Sequence, residues 1–294
     1  MYNQIDSNKR KTILLMFIFV AFVIAVGYFI AEYTQLGYEI LILAIAISLI
    51  MAFTSYYSGD KVALATTGAK QIKKEDNPYV YRMVENLCIT AGLPVPKVYI
   101  INDPAPNAFA TGRDPEHASI ALTTGIIERL ENEELEGVIA HELSHIKNYD
   151  IRLMTVVIVL VGVIALLSDI FLRMTLFGGG RKSSKEGNNP IFLIIGLVLI
   201  VLSPVIAKII QLAVSRKREY LADASASLMT RYPEGLASAL EKISEHKQPM
   251  QKANNATAHL FIASPFFGKK HLLSKFFSTH PPIEDRVKEL RTMA

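Results

Sequence analysis

From Ile13 to Ala31 the chain carries no charged residue. A helix rises ~1.5 Å per residue, so roughly nineteen residues cover the ~30 Å hydrocarbon layer of a bilayer. In lipid every backbone polar group needs an internal partner, which leaves a helix as the structure for a single such run. The run is longer than the apolar middle of a secretion signal and lacks a small-residue cleavage site. A second run, Ile40 to Tyr57, follows after a short linker and closes on Tyr56 and Tyr57, residues suited to a membrane–water boundary. Together they predict an N-terminal transmembrane hairpin. Lys9, Arg10 and Lys11 precede it, Lys61, Lys70, Lys73 and Lys74 follow it, and the linker has no Lys or Arg, so both outer ends are expected on the cytoplasmic side.

The rest of the chain divides by composition. Residues 58–151 read as a soluble piece with turns at Pro94–Pro96 and Asp103–Pro106, strand-like Val98–Ile101 and Ala118–Thr123, and a helical pattern from Asn132 to Asn148. Residues 152–214 hold two further apolar runs, Met154–Leu172 and Ile191–Val214, around a Gly/Ser-rich connection. Asp169 and Lys208 inside the runs, with Arg173, Arg181, Lys182 and Lys185 between them, sit badly with simple spanning. Two readings stay open there: full spans, or a hairpin partly buried in protein or at the interface. Residues 215–294 are again soluble in composition. Expected, then, is a mainly α fold with a small β-sheet, an α+β protein whose second hydrophobic hairpin separates two halves of one domain. A net charge of +4 does not mark a nucleic-acid-binding surface, and the single cysteine, Cys88, excludes an internal disulfide or a Cys-rich metal site and reads as a buried hydrophobe. The segment 248–275, with Phe261, Phe266 and Phe267, reads either as a substrate-gating loop or as packed structure.

Chemistry enters with His141-Glu142-Leu143-Ser144-His145 inside the helical pattern. Residues four apart share a helix face, so both imidazoles can hold one metal ion with Glu142 beside it. Such a site needs a third protein ligand and an open position. Glu219 and Asp223, also four apart, offer a carboxylate ligand and an acceptor for an imidazole N–H. His117, His246, His259, His271 and His280 are rival third ligands. The chemistry of that set is metal-assisted hydrolysis with Glu142 as base. An oxyanion donor is also needed, for which His280 and Arg286 are candidates, each with a bland alternative as a turn histidine and a solvated arginine. Asn107, Ala108 and Phe109 open a segment that is a candidate sheet edge for an extended peptide, or an ordinary loop. Asn148 and Asp150 read as helix caps, with support of the site as the second reading.

This ordered set resembles the HtpX family of bacterial membrane-bound zinc metalloproteases, within the larger family that includes the type I CAAX prenyl proteases. The resemblance rests on the N-terminal hairpin, Asn107–Gly112, His141–His145 with Asn148 and Asp150, the second hydrophobic pair, Glu219 to Asp223, and Ser278–Pro282, and it covers nearly the whole chain. It implies a zincin-like membrane fold with one zinc ion per chain on His141, His145 and Glu219. Further implications are a catalytic Glu142, an Asp223 that orients a ligand, and transition-state contacts from His280 and Arg286. A multi-pass location in the bacterial cytoplasmic membrane, an active site facing the cytoplasm, and misfolded or damaged membrane proteins as substrates are implied as well. The alternatives weighed against it are a prenyl-protein endopeptidase, a metalloprotease-type signal transducer, and an inert scaffold with a structural metal.

Overall fold

The structure is a computed structural model and describes residues 2–34, 39–162, 216–252, 256–266 and 281–293. The charge-free first run lies within one helix, α1 (Tyr2–Thr34), and the second within α2 (Glu39–Thr67), which packs along it. Helix α2 continues well past Tyr57, so the predicted hairpin boundary falls inside a helix rather than at its end. Among the described residues one helix segment, Ile42–Thr67, is long and apolar enough to cross a membrane. Ile13, Phe17, Ile42 and Phe53 present their side chains outward, an apolar surface that water would not favour.

Four strands form one mixed sheet: β1 (Lys70–Gln71), β2 (Lys97–Ile101), β3 (Ala108–Gly112) and β4 (Ala118–Thr123), in the order β1-β2-β4-β3. Strands β2 and β4 are parallel, with Val98 opposite Ile120, and β3 runs antiparallel to β4 as the outer strand, with Phe109 opposite Ala121. Sequence reading found β2 and β4 but treated β3 as an undecided edge or loop. Every residue of β4 is buried because the sheet is covered on both faces. Side chains alternate across a strand, so Val98, Ala108, Ala110, Ile120 and Leu122 pack on one side while Ile101, Phe109 and Ala121 pack on the other.

The first side is built by helices α3 (Pro78–Ala91), α5 (Asn132–Lys147), α7 (Arg216–Thr230), α8 (Pro233–Glu245) and α9 (Ile283–Arg291), with a short α4 (Thr124–Arg129) leading from β4 toward α5. Glu134 fixes the start of α5 by accepting the Glu131 backbone N–H at 2.8 Å. Gly137 lets α8 close on α5, since a Cβ there would stand 2.8 Å from the Leu236 nitrogen. The second side is built by the end of α2, with Ala63 and Leu64, and by helix α6, which opens at Asp150 and is described to residue 162. Phe261 stacks edge-on against Phe109 with ring centroids 5.1 Å apart, so this part of the 248–275 segment is packed structure. The described part of the third apolar run, from Met154 through Val161, is almost wholly buried within the protein. The rest of that run, and all of Ile191–Val214, lie outside the described residues.

Helices α5 and α6 are joined by Asn148 and Tyr149 alone. Asn148 ends α5, and Tyr149 adopts a left-handed backbone with φ of 59°. A non-glycine residue pays steric strain there. Lys9 and Arg152 lie over the Tyr149 ring, 4.7 and 4.9 Å from its centroid. This turn brings Asp150 back beside His145.

Candidate metal centre

His141 and His145 project from one face of α5 toward α7, both nearly inaccessible to solvent. Their rings stand edge-on at 89°, with the two Nε2 atoms 3.2 Å apart. Each ring is held from behind by a carboxylate. His141 Nδ1 lies 2.9 Å from Asp223 Oδ1, and His145 Nδ1 lies 3.1 Å from Asp150 Oδ2. With the Nδ1 protons donated to these carboxylates, both Nε2 lone pairs face one point. Two lone pairs so close repel unless a cation or a proton lies between them.

Glu219, fully buried on α7, closes the third side. Its Oε2 is 3.8 Å from His141 Nε2 and its Oε1 is 3.7 Å from His145 Nε2. Among the described residues, these three are the only group of His, Cys, Asp or Glu side chains whose donor atoms lie close enough together to share one metal ion. Ligand atoms about 2.0–2.1 Å from a tetrahedral ion stand ~3.3 Å from one another. The imidazole pair matches that edge and the carboxylate exceeds it by about 0.5 Å, a shift of one rotamer adjustment. The donor set, two imidazoles and one carboxylate, therefore fits a divalent first-row metal.

The charges agree with this reading. Burial pulls the His141 imidazolium down to about 4 against the pull of Asp223, with Arg286 and His145 lowering it further. Burial opposes charge on His145 too, but Asp150, Glu219 and Glu142 outweigh it and hold the ring up at about 9. The surrounding carboxylates thus favour positive charge between the two rings, in the place where a cation would sit. Glu142, 2% exposed, is pushed up to about 7, chiefly by burial and then by the Glu219 carboxylate, while His145, the Ala110 N–H and Arg286 act the other way.

Arg286, on α9, is 0% exposed and grips Asp223 with both prongs of its fork, Nε to Oδ2 at 2.9 Å and Nη2 to Oδ1 at 2.7 Å. Its Nη1 donates to the Ile262 carbonyl at 3.3 Å. Nη2 lies 3.5 Å from each ring nitrogen of His141, so it faces the ring rather than either lone pair. Asp223 keeps its negative charge because Arg286 and His141 outweigh the cost of burial. Of the two residues expected to contact a transition state, Arg286 meets the centre both through Asp223 and directly, its Nη1 3.9 Å from Glu219 Oε2, and His280 lies outside the described residues.

At Asn107–Phe109 the outer strand is already engaged. The Asn107 side chain donates to the Ala263 carbonyl at 3.0 Å, the Ala108 carbonyl accepts from Ile262 N–H at 3.0 Å, and Phe109 is wholly buried. Farther along β3, Gly112 N–H donates to the Thr155 hydroxyl at 3.1 Å. The β3 stretch nearest Glu142 is Ala110, one residue beyond the predicted segment. Of the rival histidines, His117 pairs with Asp114 at 2.6 Å, His259 Nε2 meets the Met154 carbonyl at 3.2 Å, and His246 ends α8; none joins the group, and His271 lies outside the described residues. Two residues that sequence reading passed over complete the surroundings. Arg218 is buried with Nη1 3.6 Å from Asp150 Oδ1, and Asn8 touches the same carboxylate. Nothing in the spacing of either residue signals this.

Comparison with known proteins accords with the geometry. Residues 74–294 match the model of peptidase family M48. The chain is 46% identical over 292 residues to the protease HtpX homolog of Dictyoglomus thermophilum, covering 99% of this chain and 94% of that protein. It is 45% identical over 293 residues to the protease HtpX homolog of Tropheryma whipplei, covering 100% and 98%. The crystal structure of Ste24p from S. mikatae shares the fold at a TM-score of 0.51 and 17% identity, over 99% of this chain and 67% of that one. Matched through both arms of the His–His–Glu group and at such identity along its whole length, the chain belongs to peptidase family M48, and its activity is that of a metalloprotease.

Proposed function

We propose that this chain is a membrane-anchored, zinc-dependent endopeptidase in which His141, His145 and Glu219 hold the ion and Glu142 is the general base. The observation that carries the reading is the convergence of two carboxylate-backed imidazoles, 3.2 Å apart at Nε2, on the buried Glu219 carboxylate. Two histidines and one glutamate are a donor set of catalytic zinc, which leaves a position open. Bound there, zinc supplies Lewis acidity, lowering the pKa of water and polarising a peptide carbonyl.

The chain's own residues do the rest. Glu142 takes a proton from the attacking water and returns it to the departing amine. The Ala110 N–H, directed at that carboxylate, orients it. Asp223 and Asp150 fix the two imidazoles with Nε2 unprotonated, and Arg286 holds Asp223 in place and charged. Arg286 is therefore a positioning residue. An extended peptide would lie along the edge of β3 beside Glu142, with Asn107, Ala108 and Phe109 bracing the strand from one end.

Helices α1 and α2 form the anchor, and the catalytic side faces the cytoplasm. The apolar outward side chains of α1 and α2 and the basic residues flanking them support this arrangement. A centre held so close to the bilayer meets loops and extracted tails of membrane proteins before free soluble chains. Misfolded membrane proteins are accordingly the substrate class, as the likeness to HtpX homologs also suggests. Zinc content and cleavage of an unfolded protein, measured on the full-length chain in detergent, test the assignment. Glu142→Gln should keep the ion and lose at least ~10²-fold in kcat, whereas Glu219→Ala should lose the ion itself. Full activity in Glu142→Gln would remove that residue from the mechanism.

A further inference from the structure

Asn8 lies on α1, just before the uncharged stretch that begins at Ile13, and is 1% exposed. Its carboxamide is fully used. Nδ2 donates to the Asn148 carbonyl at 2.9 Å and to Asp150 Oδ1 at 2.7 Å, while Oδ1 accepts from Arg218 Nη1 at 3.4 Å. Those partners are the residue that ends α5, the carboxylate that holds His145, and the neighbour of Glu219 on α7. One side chain thus ties the supports of two metal-binding residues to the first helix.

We propose that Asn8 is a positioning residue of the metal centre, so that α1 is a working part of the site as well as an anchor. This rests on the proposed His141–His145–Glu219 centre. Asp150 Oδ2 must point at His145 Nδ1 to keep the ring's Nε2 aimed at the ion, and Oδ1, on the same rigid carboxylate, is what Asn8 holds. Fixing one oxygen fixes the other. The left-handed turn at Tyr149, which delivers Asp150 to this place, is pinned at the Asn148 carbonyl by the same amide.

The geometry is also sensitive. A helix turns ~100° and advances ~1.5 Å per residue, so sliding or rotating α1 by a single residue withdraws the carboxamide from all three partners. Deleting α1 would therefore change metal retention as well as substrate access.

An amide is chemically required at this position. Aspartate has nearly the same shape but no N–H; one of its oxygens would keep the Arg218 guanidinium, while the other would stand against both Asp150 Oδ1 and the Asn148 carbonyl. Alanine merely leaves these acceptors without the donor. If Asn8 positions Asp150, Asn8→Asp should be at least as harmful as Asn8→Ala; if Asn8 only fills space, aspartate should be the milder change.

The experiment is competition for Zn2+ between a chromophoric chelator and the full-length chain in detergent. It compares the wild type, Asn8→Ala, Asn8→Asp, Thr12→Ala and Glu219→Ala, with thermal unfolding of each chain after zinc removal. Thr12 is buried on the same helix and, among the described residues, its hydroxyl donates to the Asn8 carbonyl and touches neither Asp150 nor Arg218, so its replacement should leave zinc affinity unchanged. Asn8→Ala should weaken zinc binding about tenfold, the low end for groups that orient a ligand. Asn8→Asp should weaken it as much or more, and zinc-free unfolding should stay near that of the wild type.

Three results would overturn the proposal. In the first, Asn8→Asp binds zinc better than Asn8→Ala. In the second, zinc-free Asn8→Ala is destabilised enough to account for its lost affinity. In the third, zinc binding in the Asn8 variants equals the wild type while Glu219→Ala loses the ion, which leaves the metal centre standing and removes Asn8 from it. Undiminished binding in Glu219→Ala would instead overturn the metal centre, and this inference with it.

Discussion

Arg286 offers the sharpest test of how the centre is held. Its guanidinium is wholly buried, forked onto both oxygens of Asp223 at 2.7 and 2.9 Å, and Asp223 in turn holds His141 at 2.9 Å. Arg286→Ala leaves a carboxylate that is 1% exposed without its main counter-charge. Removing one partner of a buried ion pair costs ~3–5 kcal/mol. Shifts of about 2–4 °C per kcal/mol in chains of ~150–250 residues place the fall in Tm on the order of 10 °C. Arg286→Lys keeps the charge but cannot satisfy two Asp223 oxygens and the Ile262 carbonyl with one ammonium, and should lose on the order of 1–3 kcal/mol. The assay is thermal unfolding of the detergent-solubilised chain, paired with zinc content and with kcat on an unfolded substrate. If Arg286 works through Asp223, stability and zinc fall together in both variants, alanine beyond lysine. A contact made only with the transition state would instead lower kcat alone, and Arg286→Ala with unaltered Tm and zinc content would refute the reasoning.

Two further outcomes concern the frame around the site. Gly137→Ala drives a methyl group to within 2.8 Å of the Leu236 backbone, so α5 and α8 must separate; overpacking of this kind costs ~1–3 kcal/mol, readable as an earlier chemical unfolding midpoint. Glu134 is raised by burial but lowered more by Lys242, the Ser238 hydroxyl and the Glu131 N–H, so its folded pKa lies below the ordinary 4.5. Its contribution to stability is therefore complete above pH 4.5 and is lost as the pH falls through the lower folded value. Unfolding midpoints taken between about pH 3 and 6 should fall more steeply toward acid in the wild type than in Glu134→Gln, and parallel curves would contradict the assignment.

The sequence by itself determined those features whose cause is local. Helical spacing put His141 and His145 on one face, and Glu219 and Asp223 on another, because neighbours four apart always meet on a helix. Uninterrupted apolarity marked the stretches beginning at Ile13 and Ile40, because the hydrocarbon layer tolerates no charge over that length. Alternation and turn residues were enough for β2 and β4. What needed the tertiary structure was every contact between distant segments. Asp150 reads in sequence as a cap or a support of the site, and the left-handed Tyr149 is what turns it onto His145. Arg286 reads in sequence as either an oxyanion donor or a solvated charge, and its grip on Asp223 appears only when α9 packs against α7. Asn8 carries no signal at all in a polar stretch ahead of a membrane run, since its meaning comes from a carboxylate 142 residues away. Short-range periodicity follows from backbone geometry, whereas the partner of a buried polar group is chosen by which surfaces pack together, and that choice belongs to the whole chain.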